Sequence, residues 1–180
     1  MSEFRVASRY ARSLLNLAVE TKVEDATKED ILNIANTCQQ NRDLVLLLKN
    51  PIIKYDKKLV ILKRLFENKK NPLINKFLEL VARKNRANLL PDIAEVWLDF
   101  YNDYKKIIKA QVTSAVSLSE SEKKHIVAYV TNRTGKKVEL NESVDAELIG
   151  GFLLRIKDEQ IDNSISGQLN SLKRKFTEKI

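Results

Sequence analysis

The spacing of apolar residues changes once along this chain, near residue 106. Before that point apolar side chains recur at intervals of three and four, which is the period of one face of an α-helix. From Ile108 to Val116 every second residue is apolar or small, as in a strand with one buried face. The sequence therefore predicts a mainly α-helical protein, with an N-terminal six-helix bundle in residues 1–105 and a small α+β domain in residues 106–180. The predicted helices cover about Glu3–Val19, Thr27–Cys38, Arg42–Lys49, Asp56–Phe66, Pro72–Lys84 and Pro91–Tyr104.

Residues that commonly begin or end a helix mark the ends of three of these predicted helices. Thr27 and Asp30 have the spacing of a capping box, in which two side chains bond the free N–H groups of a first turn. Asn50-Pro51 ends the third helix, because the residue before a proline is pushed out of the helical region. Asn71 is predicted to cap the fifth helix, with Pro72 at its first position.

The first helix carries more apolar surface than one packing contact needs. Its two stripes are Ala7, Ala11, Leu15 and Ala18, and Val6, Tyr10, Ser13, Leu14 and Leu17. From the residues alone, the helix is either covered on both sides by its own bundle or open on one side to a foreign helix. The predicted buried stripe of the sixth helix consists of Ile93, Val96, Trp97, Phe100 and Tyr104.

The C-terminal part begins with a strand followed by a capped helix. Ser119 and Glu122 form a capping box, and Gly135 is predicted to end the helix. A second strand is predicted at Lys137–Leu140, and a helical turn at Val144–Leu148. The residues expected to be buried in this helix are Ile126, Val127 and Val130.

A hairpin and a terminal helix are predicted for the remaining residues. Alternation of apolar and other residues begins at Phe152 and buries Leu154 and Ile156. Asp158 and Glu159 are predicted to form the turn, before a return strand at Gln160 and Ile161. Capping of the terminal helix is assigned to Asp162 and Ser164, and its predicted buried stripe is Ile165, Leu169, Leu172 and Phe176.

Two adjacent glycines, Gly150 and Gly151, precede the hairpin. A missing Cβ permits either an unusual φ or very close backbone contact. We expect the second reason to apply, so that another segment packs against the backbone at this point.

Residues suited to catalysis are scarce in this chain. It contains one cysteine and one histidine, which cannot provide a set of zinc ligands. Cys38 lies on the buried face of its predicted helix, and His125 lies on an exposed flank, so neither is interpreted as a reactive group. Gly135-Lys136 lacks the earlier glycine that a phosphate-binding loop requires. The sequence therefore indicates a protein that is not an enzyme by itself and that uses no metal or cofactor.

The net charge of +8 makes nucleic acid a partner to consider. Basic residues are spread over both halves, with one concentration at Lys49–Lys70. Only Tyr55 and Phe66 are available there as aromatic residues on which bases would stack. A solvated helix face is the favoured interpretation, and a basic nucleic-acid-binding module using Lys49 to Lys70 remains the alternative function.

Membrane insertion is not expected. The longest unbroken apolar run, Leu44–Leu48, is far shorter than the roughly 20 residues that span a bilayer. Met1–Arg5 includes an acidic residue and leads into a helix, so neither a secretory signal nor a transit peptide is expected. A single cysteine fits a reducing cytoplasm.

An ordered motif covers residues 138 to 169. It consists of Val138, Leu140, Val144, Asp145, Leu148, Gly150, Gly151, Phe152, Leu154, Arg155, Asp162, Ser164, Ile165 and Leu169. This motif resembles the C-terminal signature of the δ subunit of bacterial F-type ATP synthase, the counterpart of the mitochondrial oligomycin-sensitivity-conferring protein. The N-terminal part is similar to the same family at Arg9, Tyr10, Ala11, Leu14, Asn50-Pro51 and the run from Phe77 to Ile93.

The resemblance implies a non-catalytic stator subunit that links the catalytic head to the peripheral stalk, so that rotation is coupled to proton translocation and ATP synthesis. It favours the open alternative for the first helix. If the first and fifth helices lie side by side, they form a groove with a mostly apolar floor and a basic rim, made by Tyr10, Ser13, Leu14, Leu17, Lys76 and Leu80. The resemblance implies that N-terminal helices of the α subunits dock in this groove. It also implies that the C-terminal ends of the b subunits meet the C-terminal domain at Gly150, Gly151, Asp162, Ser164 and Ile165.

The same resemblance implies where the protein works. We expect it at the cytoplasmic face of the bacterial plasma membrane, with membrane association only through the complex. No nucleic-acid partner is expected.

Overall fold

The computed structural model describes residues 3–66, 71–146, 148–157 and 159–169. The chain divides into two compact units, Met1–Tyr104 and Lys105–Ile180. Helices make up the first unit, and the second combines a four-stranded sheet with helix. The predicted fold class, mainly α with an α+β part at the C-terminus, is therefore confirmed.

The helices of the N-terminal unit follow the predicted order. They are α1 (Glu3–Glu20), α2 (Glu24–Gln40), α3 (Arg42–Lys49), α4 (Tyr55–Phe66), α5 (Pro72–Arg83) and α6 (Leu90–Tyr104), with a short 3-10 helix at Ala87–Leu89. No helix in the described part of the chain combines the length and the apolarity that crossing a membrane requires.

The start of α2 differs from its prediction. The helix begins at Glu24, so the capping box predicted at Thr27 is wrong. The end of α1 explains the early start, because Lys22 has a φ of 56° and the Val23 N–H donates to the Ala18 carbonyl. This compact reversal lets the next helix begin at once. Thr27 is then buried within α2, and its hydroxyl donates to the Val23 carbonyl at 2.8 Å.

Asn71 stands at the predicted cap position of α5, but its side chain does not bond that helix. The side chain is buried, and its Nδ2 donates to Asp30 Oδ2 at 2.8 Å and to Thr27 Oγ1 at 3.2 Å. Pro72 follows at the first position of α5, a favoured place for proline. The side chain of Asn71 thus ties the start of α5 to α2.

The core of the N-terminal unit forms around α6. This helix packs against both α1 and α2, so its buried face is broader than one stripe and is rotated from the predicted one. Val96 and Phe100 lie at the margin of this face, and Tyr104 is 50% exposed. The residues that α6 buries are Leu90, Ile93, Ala94, Trp97, Leu98, Tyr101 and Asn102.

The sheet of the C-terminal unit has the strand order β2-β1-β3-β4. Its strands are β1 (Ile107–Ser114), β2 (Lys137–Val144), β3 (Phe152–Ile156) and β4 (Glu159–Asp162). β1 and β2 are parallel and are joined through helix α7 (Glu120–Thr134), whereas β3 is antiparallel to both of its neighbours. One face of the sheet packs on α7 through a core of Ile108, Ala110, Val112, Ile126, Val130, Leu154 and Ile156.

The local signals at the ends of α7 are confirmed. Ser119 and Glu122 form the capping box, with the Ser119 N–H donating to Glu122 Oε2 at 2.8 Å. Gly135 ends the helix with a φ of 66°. The buried residues of the helix include Ile126 and Val130, and Val127 is half-buried.

Three predictions in the C-terminal unit are corrected. β2 runs past Leu140 to Val144, because it pairs with β1 along the full length of that strand. After Val144 the described residues hold a turn instead of a helical segment, closed by the Leu148 N–H on the Asp145 carbonyl at 3.2 Å. Glu159 pairs with Ile156 and so belongs to β4, while Asp158 lies outside the described residues.

Candidate functional site

The residues expected to bind the α subunits occupy different environments on α1 and α5. Ser13, Leu17, Lys76 and Leu80 are exposed, and Tyr10 is half-buried. Leu14 is only 3% exposed, because it faces the core together with the small side chains of α1. We use "α1–α5 surface" below for Tyr10, Ser13, Leu17, Lys76 and Leu80.

The two helices that carry this surface share a neighbour. Both α1 and α5 pack on α2, but in the described part of the chain they do not pack closely on each other. Direct packing of the first and fifth helices is therefore not the basis of a groove.

The chemistry of the α1–α5 surface suits binding. Leu17 and Leu80 each leave 45% of their surface exposed, although both stand on well-packed helices. Lys76 adds a positive charge one turn before Leu80 on the same face. An apolar surface with a basic margin is complementary to an amphipathic helix that carries acidic residues.

Gly151 packs against backbone of the same chain, and Gly150 packs against the side chain of Ile165. A Cβ at Gly151 would lie 2.3 Å from the Asn163 carbonyl oxygen, and one at Gly150 would lie 2.7 Å from Ile165 Cδ1. The expected close contact is thus present, and the segment that makes it is 163–165 of the same chain. Gly151 also has a φ of 81°, so both reasons for glycine apply at this position.

Hydrogen bonds hold the start of the terminal helical segment, residues 165–169, on this loop and hairpin. The Asn163 N–H donates to the Phe152 carbonyl, and the Ile165 N–H donates to the Gly150 carbonyl, both at 3.0 Å. A side chain at Gly151 would meet the backbone of Asn163 and Ser164 and would push these bonded groups apart.

Ser164 and Asp162 fasten the first turn of this segment. Ser164 is 1% exposed, and its Oγ accepts the Gly167 N–H at 3.0 Å. Asp162 Oδ1 accepts both the N–H and the hydroxyl of Ser164, at 2.9 and 2.6 Å, and these bonds lower the pKa of Asp162. Ser164 therefore caps the segment, as predicted, whereas the Asp162 carboxylate bonds the capping residue itself.

Gly167 is a residue that the sequence interpretation missed. A Cβ there would lie 2.4 Å from Asp162 Oδ2, so the carboxylate occupies the space of a side chain. The available signal was a glycine in the first turn of a predicted helix, where its low helix propensity calls for a packing reason.

The predicted buried stripe of the terminal segment is exposed where it is described. Ile165 is 45% exposed and Leu169 is 51% exposed. Leu172 and Phe176 lie outside the described residues. Of the residues expected on the b-subunit side, Ile165 is therefore the one that presents a large apolar surface.

A mostly apolar groove, also missed from the sequence, opens between α7 and the β3–β4 hairpin. We call it the α7–β4 groove, and its volume is about 480 Å³. The sequence feature that could have indicated the groove is Tyr129, a large aromatic residue three positions after the buried Ile126 on the same helix. The groove is lined by Leu118, Glu122, His125, Ile126, Tyr129, Phe152, Leu154, Ile161, Asp162 and Asn163.

The cysteine and the histidine have the environments of non-reactive side chains. Cys38 is buried, and burial raises the pKa of its thiol, as expected for a core residue. His125 is exposed, as predicted. Among the described residues, no three His, Cys, Asp or Glu side chains are placed to hold a metal ion.

The basic run contains one residue with a structural role. Lys58 Nζ donates to the Leu48 carbonyl at 2.7 Å, at the end of α3, where a cation is favoured. Lys49, Lys54, Lys57 and Arg64 are exposed, as in a solvated face. Lys69 and Lys70 lie outside the described residues.

Comparison with known proteins gives consistent matches over both units. Residues 6–176 match the family model described as ATP synthase delta (OSCP) subunit. An ATP synthase subunit delta of Cytophaga hutchinsonii is 37% identical over 180 residues, covering 100% of this chain and 98% of the relative. An ATP synthase subunit delta of Chlorobaculum parvum is 38% identical over 173 residues, covering 96% of each chain.

A solved structure supports the fold. One chain of the cryo-EM structure of the Toxoplasma gondii mitochondrial ATP synthase hexamer matches with a TM-score of 0.69 and 21% identity. The match covers 95% of this chain and 97% of that one. The sequence matches confirm the resemblance that the motifs indicated.

Proposed function

The chain belongs to the ATP synthase delta (OSCP) subunit family, and on this premise we propose that it is a non-catalytic peripheral-stalk subunit of an F-type ATP synthase. The observation that carries the proposal is the family match over residues 6–176, which includes both units. In this role the protein links the catalytic head to the b-subunit stalk, so that rotation is coupled to proton translocation and ATP synthesis. The complex places it at the cytoplasmic face of the bacterial plasma membrane.

The mechanism is mechanical. While the central rotor turns, the head must not turn with it, and this subunit resists that rotation through two binding surfaces. Each contact needs only moderate affinity, because once one surface is bound the second contact becomes effectively intramolecular. The contribution of the subunit is affinity and stiffness, with no bond chemistry.

The N-terminal unit would bind N-terminal helices of the α subunits. The α1–α5 surface supports this assignment, since Leu17 and Leu80 are large apolar residues that are each 45% exposed. Lys76 would face acidic residues on the bound helix. Leu14 would act indirectly, by holding α1 in place from the core.

A matched pair of substitutions tests this assignment. Leu80→Asp on α5 should weaken binding of an α-subunit N-terminal peptide by at least tenfold, because it places a charge in an apolar contact. Leu65→Asp on α4 is the control, since Leu65 is 49% exposed against 45% for Leu80. Isothermal titration calorimetry measures both affinities, and circular dichroism checks that both variants are folded.

The peptide affinities of Leu80→Asp and Leu65→Asp decide whether the α1–α5 surface binds the peptide. Equal affinities for the two variants would show that the α1–α5 surface is not the binding site. The wider proposal has its own test, in which membranes that contain the tagged chain are solubilised and the co-purifying chains are identified. Recovery of neither α nor b subunits would contradict it.

A further inference from the structure

We propose that Asn71 is a positioning residue for the α-subunit contact. Its buried hydrogen bonds to α2 set where α5, and with it Lys76 and Leu80, stands relative to α1. This inference rests on the proposed binding of α-subunit helices at the α1–α5 surface and makes that proposal more specific. Asn71 is only 3% exposed, so it acts through the position of α5 and does not itself touch the bound helix.

The two halves of the α1–α5 surface are held together indirectly. α1 and α5 each pack on α2, and in the described part of the chain they do not pack closely on each other. The distance between Leu17 on α1 and Leu80 on α5 therefore depends on how each helix sits on α2. A bound helix that contacts both leucines gains affinity when this distance is already fixed, because ordering a surface during binding costs free energy.

The hydrogen bonds of Asn71 fix the direction in which its amide group faces. Its Nδ2 donates to Asp30 Oδ2 at 2.8 Å, and an ionised carboxylate can only accept such a bond. The same Nδ2 donates to Thr27 Oγ1 at 3.2 Å, while the Thr27 hydroxyl donates its own proton to the Val23 carbonyl. Two side chains of α2 therefore hold one amide at the start of α5, and a turned amide would leave these buried groups unpaired.

Apolar packing alone determines the position of α5 less closely. The hydrophobic effect is non-directional, so the buried Ile74, Phe77 and Val81 fix the depth of α5 better than its shift along its own axis. A hydrogen bond, in contrast, weakens steeply once its angle falls below about 120°. Leu80 follows Asn71 by roughly 13 Å of helix. A tilt or an axial shift at the start of α5 therefore moves the exposed leucine.

A matched pair of substitutions tests the effect on binding. Asn71→Ala removes the hydrogen bonds between α5 and α2. Tyr101→Phe is the control, because the Tyr101 hydroxyl on α6 donates to Asp25 on the same helix α2, and its loss leaves α5 untouched. The probe is a synthetic peptide of the N-terminal residues of the α subunit from the same organism, titrated into the full-length chain at a temperature where both variants are folded. Asn71→Ala should weaken its binding severalfold, and Tyr101→Phe should not.

A distance measurement on the free chain tests the positioning itself. Ser13 on α1 and Lys76 on α5 are exposed, so Ser13→Cys and Lys76→Cys can carry a pair of spin labels in a Cys38→Ala background. Electron paramagnetic resonance should give a shifted or broader distance distribution when Asn71→Ala is added, and an unchanged one when Tyr101→Phe is added. A residue that only contributes stability would leave the distances in the folded chain unaltered.

Weaker peptide binding together with an altered distance for Asn71→Ala, with Tyr101→Phe unchanged in both, supports the inference. Wild-type affinity, or an unaltered distance, for folded Asn71→Ala overturns it, while the proposed function stands. Equal losses of affinity for the two variants also overturn it, because they would follow from stability and not from position. If Asn71→Ala does not fold, Thr27→Val removes one of the two buried acceptors, and wild-type affinity and distance for that variant overturn the inference.

Failure of the proposed function gives a different result. If the unaltered chain did not bind the peptide, the proposed α-subunit contact would be wrong. The distances in the free chain would still decide whether Asn71 positions α5.

Discussion

The two units place their predicted binding residues in opposite settings. On the α1–α5 surface, Leu17 and Leu80 point outward from helices whose packing does not depend on them. In the C-terminal unit, Gly151, Asp162 and Ser164 hold the start of the terminal segment on the hairpin. The N-terminal residues that match the family include the buried Ala11 and Leu14 beside the half-buried Tyr10, so they serve the core as well as the surface. The C-terminal matches at Gly151, Asp162 and Ser164 serve internal structure.

This difference decides how loss-of-binding variants should be interpreted. A change at Leu80 tests recognition directly, because exposed substitutions usually alter stability by less than about 0.5 kcal/mol. A change at Gly151 removes a fold contact first, so any loss of partner binding follows from structural damage.

The largest effect is expected for Gly151→Ala. Its Cβ would meet the Asn163 carbonyl oxygen at 2.3 Å, and its φ of 81° is strained for alanine. We expect the free energy of unfolding of the C-terminal unit to fall by about 3 kcal/mol or more. Gly135→Ala is the matched control, because Gly135 also has a positive φ, of 66°, but a Cβ there meets nothing within 4 Å.

Urea denaturation followed by circular dichroism measures both glycine variants. Gly135→Ala should lose only about 1–2 kcal/mol, from backbone strain alone. If the two alanine variants were equally stable, the close contact of Gly151 would not matter to the fold, and the contrast between the units would fail.

A smaller effect is expected for Asn71→Ala in the N-terminal unit. The substitution removes the buried donor to Asp30 Oδ2 and Thr27 Oγ1, and should cost about 1–3 kcal/mol. Asn41→Ala is its control, since Asn41 Nδ2 donates to the Thr37 carbonyl in an exposed position where water can replace it. Thermal unfolding should show a clear decrease in Tm for Asn71→Ala and a slight decrease for Asn41→Ala.

The Asn71→Ala variant also tests whether the two units act independently. The variant should still bind a synthetic peptide of the C-terminal residues of the b subunit with unchanged affinity, because the tie lies wholly within the N-terminal unit. Loss of that binding would mean that the two units do not act independently.

The smallest effect is a pH dependence at Asp162. Hydrogen bonds from Ser164 lower its pKa in the folded protein, so the folded state favours the ionised carboxylate. The resulting stabilisation is present above the ordinary aspartate pKa of about 3.9 and is lost as the pH falls through the lower folded value. Asp162→Asn should therefore be less stable than the wild type at pH 7, and the difference should shrink below about pH 4.

Hydrogen exchange of the Gly167 and Ser164 amides measures this effect locally. If the difference in exchange rate between wild type and Asp162→Asn did not change with pH, the effect would arise from the shape of the side chain and not from its charge.

Most signals that depend on a few consecutive residues predicted local structure correctly, although the capping box at Thr27 was wrong. The capping box at Ser119 and Glu122 and the helix end at Gly135 were predicted from their own residues. The alternation that begins at Phe152 likewise predicted β3. In each of these cases the alternative backbone conformations differ over only a few residues, so neighbouring residues decide which one forms.

Signals that depend on distant residues were misinterpreted. Asn71 was assigned to its own helix, but its partners lie about 40 residues earlier on α2. The buried face of α6 was displaced because two helices, α1 and α2, cover it. The α7–β4 groove was not foreseen at all, since its walls come from segments that the sequence separates.

By itself, the sequence determined the two kinds of unit, most of the helix and strand positions, the family and the close contact at the glycine pair. Those properties follow from hydrophobic period, end-capping chemistry and an ordered motif, all of which are local or linear. Only the tertiary structure decided that Leu14 is buried while Leu17 is open, which segment packs on Gly151, and where a groove remains. Burial is a property of what lies opposite a side chain, and the residues opposite come from elsewhere in the chain.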